Sequence, residues 1–177
     1  VTITRDHLTV NKYSRPGRPV DRVRAIVLHW VANPGTSAKA NRDFWESRKD
    51  GANGYGSAHY VIDDHEIIEA IPSSEVAYHV GATHYKPFAA MIGEHPNHFT
   101  IGVELCHPRW DGQPTAKGWD AAVGLVGDLL MANTLLPHEI TTHYAITGKR
   151  CPLWFLDHPD ELDRFRWDVW RYMDGER

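Results

Sequence analysis

The sequence predicts a single α/β domain: a mixed, mainly β-sheet core flanked by helices. Three observations carry that expectation. Two short apolar runs, VRAIVLHW at 23–30 and IGVELC at 101–106, are rich in β-branched residues and bounded by polar or turn residues, as strands buried on both faces are. Helical spacing fills segments between and after them, so strands alternate with helices. A chain of 177 residues, 42% hydrophobic and 24% charged, has the size and composition of one globular domain with one core.

Residues 1–22 are polar and carry Pro16, Gly17 and Pro19, so they read as a loop-rich lead-in. In the first apolar run, alternation puts Val23, Ala25, Val27 and His29 on one face. Ser37 is positioned to cap an amphipathic helix reaching about Lys49, with Ala40, Phe44, Trp45 and Arg48 at helical spacing. The glycine-rich loop GANGYGS follows. His59–Asp63 and Glu66–Ile71 form a hairpin across Asp64-His65, closed by Pro72. Residues 81–100 hold no clear period and read as a long loop, which in a compact domain tends to be functional.

In the second apolar run Gly102, Glu104 and Cys106 share one face. After a turn at Asp111-Gly112, the strongest helix runs from Thr115 to Leu135, with Trp119, Ala122, Val123, Val126, Leu129 and Leu130 on its apolar stripe. Thr141-Thr142-His143 lies just beyond it. The last helix starts at Pro159, a residue suited to a first turn, and presents Leu162, Phe165, Val169 and Met173.

Nineteen Lys and Arg against 23 Asp and Glu give a formal charge of −4 with no basic block, which argues against a nucleic-acid partner. No window approaches the run of about 20 apolar residues that spans a bilayer. The first residues, VTITRDHLTV, lack the charged-then-apolar profile of a signal peptide. Cys106 and Cys151 are too few for a disulfide framework, and a monomer is expected. The unusual count is 12 histidines, which points to a metal or acid–base site formed by a few of them.

The sharpest local feature is THYAITGKRCP, where His143 and Cys151 flank Gly148. A gap of that length can fold back so that an imidazole and a thiolate face one ion, a donor set that suits zinc. His29, at the end of a strand, is the best third ligand, because ligands converge most reproducibly from rigid elements. The competing reading makes His143 a buried histidine and Cys151 an inert core residue. Glu104 stands between Val103 and Leu105, where a carboxylate is costly to bury unless it meets a cation, a water or donors. It is a natural general base for a water, or else a solvent-facing residue of an edge strand. Lys149 could stabilise an oxyanion, or it could be a solvated loop lysine.

VLHW with His29, SAHYVI with His59, AYHVGA with His79, IGVELC with Glu104, and THYAITGKRCP stand in one order across residues 10–155. Together they resemble the zinc-dependent N-acetylmuramoyl-L-alanine amidases, whose fold is shared by phage lysozyme-amidases and peptidoglycan recognition proteins. The resemblance implies one Zn2+ held by His29, His143 and Cys151, with Glu104 as catalytic glutamate and Lys149 assisting the oxyanion. It implies a groove contact for His79; His59 is a further substrate-binding candidate or equally a packed strand histidine, and Trp30, Tyr60 and Tyr85 could wall a groove, although packing in the core is the commoner use of such aromatics. One position departs: where some members carry a catalytic tyrosine just before the histidine matching His59, this chain has Ala58.

The implied reaction is hydrolysis of the amide between the lactyl group of N-acetylmuramic acid and L-alanine, with peptidoglycan as partner. Retention of Cys151 favours an enzyme over a non-catalytic binding module. A thiol hydrolase and a structural zinc protein also compete with it, and a structural zinc site would need a fourth protein ligand. The implied place of action is the cell wall, reached from the host cytoplasm at lysis, as by an endolysin, or by secretion through another route. The expected organisation is one catalytic domain over 1–177, with a core at about 10–173 and a polar tail, Asp174–Arg177, that could lead to a wall-binding domain.

Overall fold

The computed structural model describes residues 2–176; Val1 and the last tail residue, Arg177, lie outside the described residues. Among these residues six strands form one sheet: β1 (Ile3–Arg5), β2 (Ala25–Trp30), β3 (Tyr60–Ile62), β4 (Ile67–Glu69), β5 (Thr100–Leu105) and β6 (Ile140–Thr142). Their spatial order is β1-β4-β3-β5-β2-β6. The β3–β4 hairpin is antiparallel and the other neighbouring pairs are parallel. Among the described residues six α-helices accompany the sheet: α1 (Ala38–Glu46), α2 (Ala89–Ile92), α3 (Ala116–Asn133), α4 (His143–Thr147), α5 (Leu153–Asp157) and α6 (Pro159–Met173).

The expected mixed sheet flanked by helices is the fold observed. The two apolar runs are its central strands, β2 and β5, paired over their full six residues from Ala25↔Thr100 to Trp30↔Leu105. One sheet face presents Ile26, Leu28, Ile101 and Val103 to Val126 and Leu130 of α3 and to Phe165 and Val169 of α6. Each fully buried aliphatic side chain there stabilises the fold by roughly 1.5–3 kcal/mol. α6 packs closely on α3 because Gly127 leaves room for Tyr172: a Cβ at 127 would stand 2.4 Å from the Tyr172 ring. The opposite face is covered by α1, whose Ala38 and Trp45 pack with Val61 and Ile68. A smaller cluster on β2, Ala25 and Val27 with Val80 and Ile146, lies beside the site.

Local sequence sets the helix ends. Ser37 Oγ accepts from Ala40 N at 3.1 Å, and Asp63 Oδ2 accepts from Ala38 N at 2.7 Å, tying the start of α1 to the end of β3. Thr115 caps α3 in the same way through Gly118 N.

Several expectations are corrected. The lead-in contains β1, an edge strand whose residues are all exposed, so its sequence carries no alternation to read. Residues 81–100 contain α2, a 3-10 turn at Pro96–His98 and the start of β5. The first helix ends at Glu46 and continues as a 3-10 turn, Ser47–Asp50. Val23 precedes β2 and packs in the cluster under α3, not on the face that carries Ala25 and Val27. No helix among the described residues is long and apolar enough to cross a membrane.

Candidate metal centre and cavity

Three strands and one loop assemble the site. His29 lies near the end of β2 and Glu104 beside it on β5, partners in the parallel register. On the other side of β2, β6 pairs Leu28 with Thr142, so His143 emerges next to His29 as the first residue of α4. Gly148, at φ +83°, ends α4 in the left-handed region and lets the chain double back. Tyr144 N then donates to Cys151 O at 3.0 Å, which seats Cys151 under His143.

The result is a cluster of His29, His143 and Cys151, all buried, with one donor atom from each lying within 4.8 Å of the others. His29 Nδ1 stands 3.1 Å from His143 Nδ1 and 3.5 Å from Cys151 Sγ. This cluster can hold a metal ion, and it is the group of three or more metal-type side chains found among the described residues. Burial holds His29 well below the usual histidine range and His143 at about 4, so both imidazoles are neutral, as ligands must be. Burial raises the Cys151 thiol, and a bound cation reverses that effect.

Glu104 Oε2 is buried with no hydrogen-bond partner. Burial pushes the Glu104 carboxyl up to about 8, against the opposing pull of the Lys149 ammonium. Lys149 is exposed and lines the same cavity as Glu104 and the three donors. That cavity, of about 590 Å3, extends from the cluster past Trp30 toward α1 and the glycine-rich loop.

The other candidates fall into distinct places. Trp30 lines the cavity with its ring stacked on His107 at 4.9 Å. His79 also lines it, but both its ring nitrogens are engaged: Nδ1 lies 3.0 Å from His29 Nε2, and Nε2 lies 3.1 Å from Thr100 Oγ1. His59 is fully buried and absent from the lining. Its Nδ1 accepts from Gly102 N at 2.9 Å and its Nε2 lies 2.9 Å from Glu75 O, which leaves no ring nitrogen for a ligand. Tyr60 lies in the core under α3, and Tyr85 is also absent from the lining; the aromatic walls are Phe44, Trp45, Tyr55 and Tyr78. Cys106 is free, buried and held high by burial, and Cys151 is likewise buried as a thiol, so neither is an activated nucleophile.

Sequence reasoning misses Thr100, Asn97 and the part played by Gly102. A Cβ at 102 would stand 2.6 Å from His79 Cγ, so the glycine is what allows the His79 ring to lie across β5. The available signal was a glycine inside an apolar strand, a mark of close approach by another group.

The fold and the cavity define an α/β domain organised around a buried, metal-competent cluster. The chain belongs to the N-acetylmuramoyl-L-alanine amidase family (Amidase_2), which matches residues 19–154. It is 34% identical over 166 residues to a "Probable N-acetylmuramoyl-L-alanine amidase" of Bacillus licheniformis, covering 94% of this chain and 46% of that protein. It is 32% identical over 181 residues to N-acetylmuramoyl-L-alanine amidase BlyA of Bacillus subtilis (strain 168), covering 98% and 48%. The chain thus spans about half the length of these curated relatives. Among solved structures, the catalytic domain of XlyA is similar at a TM-score of 0.75 and 26% identity, with 96% of this chain and 99% of that one covered. PlyL, at 23% identity and a TM-score of 0.76 over 96% and 97%, shares the fold.

Proposed function

We propose that this domain hydrolyses the amide between the lactyl carbonyl of N-acetylmuramic acid and L-alanine in peptidoglycan, with one zinc ion held by His29, His143 and Cys151. The observation that carries the reading is the donor cluster lying beside a buried carboxylate oxygen that has no partner. Tetrahedral zinc, with Zn–N of about 2.0–2.1 Å and Zn–S of about 2.3 Å, sets ligand atoms about 3.3 Å apart for N and N and about 3.6 Å apart for N and S. The distances of 3.1 and 3.5 Å from His29 to the other two donors are of that size, and all three donor atoms lie within 4.8 Å of one another. Three protein donors, with no fourth among the described residues, are the number that a catalytic zinc site would use.

A zinc ion held by these three residues would supply Lewis acidity toward a carbonyl or a water. Glu104 Oε2 takes the proton of that water as its oxygen adds to the carbonyl carbon, then delivers it to the leaving amine as the C–N bond breaks. The Lys149 ammonium faces the developing oxyanion. Trp30 and the aromatic residues along α1 and the glycine-rich loop form the bed for the polymer. In this reading the domain works on the cell wall as a monomer.

Mass spectrometry of purified sacculi digested by the protein tests this. The expected products are stem peptides with a free L-alanine amine and glycan strands without new reducing ends, together with about one zinc per chain by metal analysis. New reducing ends, or sacculus binding without amide cleavage, would overturn the reading in favour of a glycosidase or a binding module.

A further inference from the structure

The polar neighbours of the cluster form an ordered chain with a direction. Thr100 Oγ1 lies 2.8 Å from Pro96 O and 3.1 Å from His79 Nε2. A hydroxyl has one proton to give, and O–H···O bonds centre near 2.7–2.8 Å while N–H···O bonds centre near 2.9–3.0 Å. The shorter contact is therefore the one the hydroxyl donates, to Pro96 O. Toward His79 it accepts, so His79 carries its proton on Nε2. His79 Nδ1 is then the acceptor for His29 Nε2–H at 3.0 Å. The His79 backbone is itself pinned, since Asn97 Oδ1 accepts from His79 N at 3.1 Å and Val80 N at 2.9 Å.

We infer that Thr100 and His79 are positioning residues: a relay from the Pro96 carbonyl through the Thr100 hydroxyl and the His79 ring fixes His29 as the Nε2–H tautomer and turns its Nδ1 lone pair toward Cys151 and His143. Run in the opposite direction, the same contacts would place a proton on His29 Nδ1, in the middle of the donor cluster. A histidine ligand needs a partner on its second nitrogen to set tautomer and ring orientation, and losing such a partner weakens metal binding by about 10–100-fold. Here the partner is another neutral imidazole, which can accept only because Thr100 holds its tautomer. The assignment of His79 thereby moves from substrate contact to support of His29.

The inference rests on the metal reading of the cluster only for its consequence, so the test separates the two. Nitrogen-15 NMR of histidine-labelled, zinc-free protein at neutral pH reads each tautomer directly and needs no variant. His29 and His79 should both be Nε2–H; a His29 protonated on Nδ1 overturns the relay whatever the metal result. Thr100→Val should then weaken zinc binding at least 10-fold in a chelator competition, with Thr100→Ser restoring it to within about 3-fold. Parent-like zinc affinity in a folded Thr100→Val also overturns the relay. A parent protein that takes up no zinc while His29 stays Nε2–H overturns the zinc reading and leaves the relay standing.

Discussion

His29 and Glu104 face one another in register on neighbouring parallel strands, β2 and β5, at the same level of the sheet. Adjacent strands lie about 4.8 Å apart, so a donor of the cluster and the buried acid are set side by side by backbone pairing alone. No loop has to close to bring them together. Glu104→Gln replaces one carboxylate oxygen with an amide nitrogen at nearly the same shape and removes the proposed base. The variant should fold, keep close to one zinc, and lose about 100- to 10,000-fold in amide hydrolysis. Metal analysis and a muropeptide release assay on the same sample decide it, and an active variant sinks the role given to Glu104.

Cys151 is the donor with the least tolerance for substitution, because it is the only sulfur in the cluster and its loop is tied to α4 by the Tyr144 N to Cys151 O bond. Cys151→Ser keeps that backbone tie but offers a harder, weaker ligand. At a free zinc concentration 100 times its dissociation constant, the parent should gain about 2.7 kcal/mol of stability. For a domain of this size that is about 5–11 °C in melting temperature, at 2–4 °C per kcal/mol. Thermal melts with and without zinc should show that increment for the parent and little of it for Cys151→Ser.

The Lys149 ammonium is the charge that holds the Glu104 carboxyl down against burial. Replacing it by Met removes that pull, so the Glu104 pKa rises. A general base works in its deprotonated form, so the acid limb of the pH profile for kcat/KM should move to higher pH in Lys149→Met. The maximum should also fall, as the oxyanion loses a cation. Zinc content should not change. An acid limb that stays in place would separate Lys149 from Glu104.

The central strands are legible in the sequence because β2 and β5 are buried on both faces and therefore write an unbroken apolar run. The donor cluster is only half legible locally: Gly148 allows a reversal between His143 and Cys151, but the spacing alone leaves both open as core residues, and it is the resemblance to the amidases that joins them to His29. β1 is not legible, since an exposed edge strand has no buried face to impose alternation. Nor is β6: three residues after a 3-10 turn are too short to carry a period. The separation of His79 from His59 is out of reach of local pattern altogether. Both are buried strand-side histidines in aromatic contact at 5.6 Å, and what distinguishes them is whether a backbone group or His29 meets the ring.

His59 supplies a pH-dependence of stability. Burial lowers its pKa to about 4, against an ordinary value of 6.5. The folded protein therefore holds it neutral where the unfolded chain would protonate it. That contribution is fully present above pH 6.5 and is lost as pH falls toward 4, on the order of 3 kcal/mol at about 1.4 kcal/mol per unit. Denaturant titrations of zinc-free protein should show stability declining across this window. NMR should find the His59 ring uncharged at pH 5.5, and an imidazolium there contradicts the burial argument.

Gly102 and Gly124 should respond in opposite directions to the same substitution. At Gly102 an added methyl would sit 2.6 Å from His79 Cγ and 2.7 Å from its Nδ1. The ring cannot give way, because both its nitrogens are bonded and Asn97 pins its backbone. Overpacking of this kind costs about 1–3 kcal/mol, and any shift of His79 also disturbs His29, so Gly102→Ala should lower the melting temperature and weaken zinc retention together. At Gly124, inside α3, the added methyl would meet Tyr172 at 3.7 Å, an ordinary contact. There the gain in helix propensity, about 0.5–1 kcal/mol, should dominate, and Gly124→Ala should raise the melting temperature by a few degrees without touching zinc. Melts and chelator competition on the two variants make the comparison; equal zinc retention in both would mean that His79 has more freedom than its bonds allow.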